Sequence, residues 1–324
     1  MESDSAIDAA GPAGASAITV AVDGMGGDRG PAAVVGGVAR AAAENPDVHF
    51  LLVGDEAVLA PLLRRRRALA GRVTLRHAPG VISMNDRPSQ VVRSGRDSSM
   101  WAVIEAVRTG EARAAVSCGN TGALMAMSAI RLGRLPGVAR PAIAILWPSR
   151  GPAGYNVVLD AGADVKADPR DLLTYGLMGA SYARNGLDLA RPRVGLLNIG
   201  TEDHKGRPEL HEAARMMAGA AEAGGYEWVG YVEGSDIPSS RVDVIVTDGF
   251  TGNVALKTAE GTARLISELM AEAFRKTPLS RIAALLAWTS LRRLRMRIDP
   301  RRVNGGVFLG LAGRVVKSHG AADA

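Results

Sequence analysis

Asn120, Asn198 and Asn253, together with Lys205 and Lys257, each lie in or just after a glycine-rich loop that closes an apolar, strand-like run. Four stretches share this design: ITVAVDGMGGDRGP (18–31), AAVSCGNTGAL (114–124), RVGLLNIGTEDHKG (193–206) and VDVIVTDGFTGNVALKT (242–258). Glycine lets backbone N–H groups approach a ligand, and a helix that starts just beyond such a loop presents unpaired N–H groups to an anion. The chemistry expected is therefore the holding of an oxyanion, with the lysines as countercharges. In the second loop Ser117, Gly119, Thr121 and Gly122 flank Asn120; in the fourth, Gly249, Thr251 and Gly252 precede Asn253, with Lys257 one helical turn on. Asp23, Asp28, Glu202 and Asp248 are acids within the same loops. Acids do not bind anions, so they are expected to fix loop backbone or anchor an opposing base such as Arg93 or Arg96.

Several other chemistries are excluded. The spacing of Gly24, Gly26 and Gly27 is not the dinucleotide fingerprint, and neither a Walker A pattern nor a G-x-S-x-G elbow is present. A general base at His204 and a metal bridged by Asp23 and Asp28 are minor alternatives to an incidental loop histidine and loop-fixing acids. No metal or other cofactor is expected. The single cysteine, Cys118, excludes an internal disulfide framework and fits a reducing compartment. It is expected to be a small packed residue rather than a nucleophile.

These loops need a scaffold. Strand-like runs (18–22, 48–53, 73–77, 114–117, 142–147, 156–160, 193–199, 228–232, 242–247) alternate with helix-like runs (31–43, 55–70, 98–109, 121–133, 168–184, 208–223, 252–276). Most of the strand runs are continuously apolar, as strands covered on both faces are. The expected architecture is α/β: a mostly parallel sheet between helical layers, with all four loops at one sheet edge. Residues 1–16 read as a disordered leader and 17–324 as one unit. No apolar run approaches the length of a membrane span.

The net charge of +6 is concentrated locally. Residues 275–302 carry nine Arg/Lys and one acid, Asp299; the remainder holds 30 bases and 32 acids. Aromatics do not interleave with the bases, so no nucleic-acid partner is expected. Within this region 279–298 reads as a helical hairpin, apolar at Leu285, Leu286 and Trp288, basic at Arg292, Arg293 and Arg295, with Thr289-Ser290 capping its second arm. It suits a dimer interface, an anionic membrane surface or an acidic protein. The chain has 34 Arg and only five Lys, so a surviving lysine marks a position where lysine itself is needed.

The ordered set DGMGGDRGP, NDRPSQVVRSGRDSSM, SCGNTGALMA, GVARPAI, LLNIGTEDHKG, YVEGSDI and DGFTGNVALKTAEG resembles the PlsX family of bacterial acyl-ACP:phosphate acyltransferases, over residues 18–323. The resemblance implies a three-layer α/β/α fold of the isocitrate/isopropylmalate dehydrogenase type, related to phosphotransacetylases. It implies a homodimer that takes acyl groups from acyl carrier protein to inorganic phosphate for phospholipid synthesis. It also implies a cytoplasmic protein with peripheral membrane contact through the hairpin. Cys118, Asp164, Thr201, Ser94 and Gly95 depart from the usual family residues. On this basis Lys205 and Lys257 are expected to hold phosphate, and Asn120, Asn198 and Asn253 to orient reactants or stabilise the oxyanion. A dehydrogenase, a short-chain phosphotransacetylase using CoA thioesters and a non-catalytic membrane scaffold are the alternatives.

Overall fold

The computed structural model describes residues 18–298 and 305–320, without the side chains of 295–298. The expected leader, 1–16, lies outside the described residues. Eleven strands form one sheet: β1 (Ile18–Asp23), β2 (Val48–Gly54), β3 (Val73–His77), β4 (Ala114–Ser117), β5 (Ala142–Pro148), β6 (Tyr155–Leu159), β7 (Arg193–Leu197), β8 (Glu227–Val232), β9 (Val244–Val246), β10 (Gly305–Leu309) and β11 (Val315–Ser318). The helices are α1 (Gly30–Glu44), α2 (Glu56–Arg64), α3 (Pro88–Ser94), α4 (Ser99–Arg108), α5 (Thr121–Arg131), α6 (Pro169–Leu187), α7 (Pro208–Gly224), α8 (Gly249–Arg275), α9 (Pro278–Leu286) and α10 (Trp288–Ile298).

The sheet order is β3-β2-β1-β4-β11-β10-β5-β6-β9-β7-β8. Successive residues of one strand bury on opposite faces. Ala21 packs with Val103, Ile104 and Leu124 of α4 and α5, while Val22 packs with Val35, Val38 and Leu59 of α1 and α2. In the other half Val244 and Val246 meet Leu172, Tyr175 and Met217 of α6 and α7, and Ile245 faces the side of Ala255 in α8. This double coverage accounts for the unbroken apolar runs and gives the expected mostly parallel α/β/α sandwich.

The sheet is not unidirectional. β10 runs antiparallel to both β11 and β5, and β5 antiparallel to β6. Thus β3, β2, β1, β4, β11 and β5 run one way, and β10, β6, β9, β7 and β8 the other. The ends of β1 and β4 therefore point away from the ends of β7 and β9, contrary to the single loop-bearing edge expected from sequence. Sequence reading also passed over α3, β10 and β11. β10 opens with two glycines and β11 is a four-residue strand containing a lysine, both weak strand signals. The expected helix 55–70 ends at Arg64 and is followed by a 3-10 turn at Arg67–Leu69.

Candidate functional site

The loops after β1 and β4 are bound to one another through Asp23. Its Oδ1 accepts from Ser99 Oγ at 2.6 Å and from the Met25 N–H at 3.1 Å; its Oδ2 accepts from Ser117 Oγ at 2.7 Å. Hydroxyls, rather than Arg93 or Arg96, anchor this carboxylate. Ser117 Oγ in turn accepts the Gly119 N–H at 3.0 Å. A Cβ on Gly26 would lie 2.7 Å from the Gly119 nitrogen, so glycine lets the two loops meet backbone to backbone. Asn120 caps α5 by accepting the Ala123 N–H at 3.1 Å, and its amide donates to the carbonyls of Ser83, Met84 and Asp86. The Leu124 N–H returns to the Asn120 carbonyl. The first-turn N–H groups of Thr121 and Gly122 are what this leaves for an incoming oxygen.

The loop after β9 is organised as a cap. Asp248 accepts the Thr251 N–H at 2.7 Å and is paired with Arg207 at 2.6 Å. Burial pushes the Asp248 carboxyl up, but the Thr251 N–H and Arg207 outweigh it and hold the group below its ordinary range. Gly249 and Gly252 lie against the 160–164 turn. A Cβ at Gly252 would collide with the Asp160 carbonyl oxygen, and one at Gly249 with that of Asp164. These two glycines therefore have a packing reason to be glycine.

The loop after β7 folds around Asn198, whose amide donates to the Lys205 carbonyl at 2.9 Å. Lys205 Nζ lies 2.8 Å from Glu202, both side chains well exposed. Their hydrogen bond lowers the Glu202 carboxyl and raises the Lys205 ammonium.

A cavity of about 630 Å³ lies on the face of the central strands, lined by parts of three loops. Asp28 comes from the β1 loop, Thr121 from the start of α5, and Asn253, Lys257 and Glu260 from α8. Gly305 and Gly306 of β10, and Lys317 and His319 at the end of β11, complete this side. Asn198, Glu202 and Lys205 are not among the lining residues. The three loops meet here although their strands oppose one another, because α8 roofs the middle of the sheet.

Lys317 and His319 were missed in the sequence. Register places Lys317 beside Ser117 of β4 on one side and Gly306 of β10 on the other. Lys317 is 9% exposed and donates to the carbonyls of Cys118, at 3.2 Å, and Ser318. Burial pulls its ammonium below the ordinary lysine range; the Asp28 and Asp23 carboxylates oppose this and the charge of Lys257 adds to it. Lys257 Nζ is 2.8 Å from Glu260 and 3.2 Å from His319 Nε2. His319, and then Lys257, hold the Glu260 carboxyl down at about 2 against the upward push of burial. Burial pushes the Cys118 thiol up, away from thiolate chemistry. The scarcity of lysine drew attention to Lys205 and Lys257, and applies equally to Lys317. Among the described residues no cluster of three His, Cys, Asp or Glu is arranged to hold a metal.

The hairpin candidates lie apart from the cavity. Thr277 and Ser280 form a capping box at the start of α9, and the chain breaks at Ala287. Thr289 and Ser290 fall within the first turn of α10 instead of capping it. Leu285, Leu286 and Trp288 are strongly exposed, Leu286 at 82%, and Arg292 and Arg293 are exposed beside them. Arg295 belongs to α10, but its side chain lies outside the described residues. Among the described residues no helix is long and apolar enough to cross a membrane.

This arrangement defines an α/β protein with a cavity, lined by Lys257 and Lys317, between oppositely directed sheet halves. The fold matches EutD phosphotransacetylase from Staphylococcus aureus with a TM-score of 0.60, at 13% identity, over 94% of this chain and 89% of that one. The chain belongs to the family described as fatty acid synthesis protein, whose model matches residues 18–324. It is 64% identical to a phosphate acyltransferase of Cereibacter sphaeroides, over 100% of this chain and 87% of that protein. A phosphate acyltransferase of Jannaschia sp. is 66% identical, over 94% of this chain and 83% of that protein.

Proposed function

We propose that this chain transfers a fatty acyl group from acyl carrier protein to inorganic phosphate, releasing acyl phosphate and the free carrier. One observation carries the proposal: Lys257, the buried Lys317 and the N-terminus of α5 face a single cavity. A buried ammonium weakened by its surroundings, with a second lysine near it, is a strong seat for a dianion.

In this scheme phosphate sits between Lys257 and Lys317, and one of its oxygens attacks the thioester carbonyl. The oxyanion that develops is met by the Thr121 and Gly122 N–H groups, while Asn253 orients the reactants. The carbon–sulfur bond then breaks, and the proton carried in by phosphate passes to the departing thiolate. His319, whose Nε2 lies 3.2 Å from Lys257 Nζ, is placed to relay it. No enzyme nucleophile is needed. Asp23, Asp248, Asn120 and Asn198 hold the loops in register, and Asp28 borders the phosphate seat.

The proposal includes residues 17–324 acting as one unit, a homodimer, and a cytoplasmic protein touching the membrane peripherally. Its support is the exposed apolar surface of Leu265, Ile266 and Leu269 on α8 and of Leu279, Ile282, Leu285, Leu286 and Trp288 beyond it. Trp288→Glu should abolish co-sedimentation with anionic liposomes; unchanged sedimentation would remove the membrane contact from the scheme.

The reaction is tested by trapping acyl phosphate with hydroxylamine. Long-chain acyl-ACP with phosphate should give hydroxamate in a phosphate-dependent manner, and acetyl-CoA with phosphate far less. No product from acyl-ACP would sink the proposal, and a preference for acetyl-CoA would favour a short-chain phosphotransacetylase.

A further inference from the structure

Half of the cavity has no part in the chemistry above. Opposite the lysines, its wall is Ile143, Ile145 and Trp147, alternate residues of β5 that share one sheet face. Facing them on α8 are Leu256, Ala259 and Ala263. Ile145 and Trp147 pack on to Val158, Ile245 and Ala255, so this wall is backed by core. Between the two halves β10 contributes only Gly305 and Gly306; a Cβ on Gly306 would stand 2.6 Å from Ile143. Glycine at 306 makes room for the Ile143 side chain and leaves the cavity floor between the two halves without side-chain atoms from β10.

We propose that this half is the acyl-chain channel, in which the hydrocarbon tail of the thioester lies between β5 and α8 while its carbonyl stays at the lysine side. The inference rests on the acyltransferase reading and deepens it by naming residues that set chain-length preference. Phosphate alone fills only the charged side, and no charged side chain lines the β5 wall. The total volume lies within the roughly 300–1,000 Å³ of small-molecule sites. Alanine at 259 and 263, on successive turns of α8, keeps side-chain atoms out of the space that a tail requires. Each methylene buried there should be worth about fourfold in kcat/KM.

The test uses the full chain carrying Ala259→Phe or, separately, Ala263→Phe. The rate of hydroxamate formation is measured with hexadecanoyl-ACP and with butanoyl-ACP at saturating phosphate. The ratio of kcat/KM for the long donor to that for the short one should fall about tenfold or more in each. Ala263→Val, which adds only two methyl groups, should move the same ratio in the same direction by a smaller factor and guards against a folding artefact. A wild-type chain active with both donors, and variants whose ratio does not move, would overturn the channel and leave the acyltransferase reading standing. A wild-type chain that makes no acyl phosphate from either donor would overturn that reading, and the channel with it.

Discussion

The 198–206 loop and the end of β11 use lysine in opposite ways. Lys205 sits in a conspicuous polar loop, yet it lies 2.8 Å from Glu202, exposed to water and already neutralised. Lys317 sits in an inconspicuous four-residue strand, yet it is buried in the cavity wall, and its hydrogen-bond acceptors among the described residues are carbonyl oxygens. Carbonyls satisfy its N–H groups without cancelling its charge, so the low-dielectric side of the cavity retains a net attraction for an anion. An exposed ion pair of the first kind contributes little to stability and little to binding. Burial without a hydrogen-bonded carboxylate, rather than membership of a motif, distinguishes Lys317 from Lys205 and is the basis for seating phosphate at Lys317 in the proposed scheme.

The contrast can be broken at several points. Lys317→Ala should have the largest effect, lowering kcat/KM for phosphate about a hundredfold or more, because it removes a desolvated charge at the seat of the dianion. Asp248→Ala should cost about 2 kcal/mol in urea denaturation, since it removes the α8 cap and strands Arg207. Lys257→Ala should lower kcat/KM for phosphate about tenfold, less than Lys317→Ala, because Lys257 is half exposed and shared with Glu260. Glu260 supplies a pH signature. Its carboxyl is lowered from 4.5 to about 2 in the folded chain, so its stabilising contribution is complete above 4.5 and is lost as pH falls towards 2. Solvent screening through Lys257 reduces the contribution to about 1 kcal/mol. Thermal melts of Glu260→Gln should therefore converge on those of the wild type across that acidic window. Lys205→Ala should be the smallest change, within about twofold in every kinetic parameter.

Much of the scaffold was legible because both faces of its strands are covered. The stretches Phe50–Val53 and Val244–Val246 are apolar at every position for that reason, and Val53 and Ile245 are fully buried. The reversal of the sheet was not legible. It depends on β10, whose Gly305-Gly306 start reads as a loop, and on the antiparallel pairing of β5 with β6, which a strand pattern alone does not encode. The site was legible in part. Thr121, Asn253 and Lys257 reach the cavity from loops that glycine had marked, as does Asp28. Gly249 and Gly252 carried the same mark for a different reason, the close approach of α8 to the turn at Asp160. Lys317 and His319 lie within and just after a four-residue strand that follows a short β10–β11 connection, not in a glycine loop that leads into a helix. The trace of Lys317 in the sequence was the rarity of lysine.

The most direct measurement is a pair of phosphate saturation curves, one for Lys317→Ala and one for Lys205→Ala, each followed by hydroxylamine trapping of acyl phosphate from a fixed long-chain acyl-ACP. Seating of phosphate at the β11 side of the cavity predicts a KM for phosphate raised at least about tenfold in Lys317→Ala and unchanged in Lys205→Ala. A raised KM in Lys205→Ala with normal saturation in Lys317→Ala would contradict it.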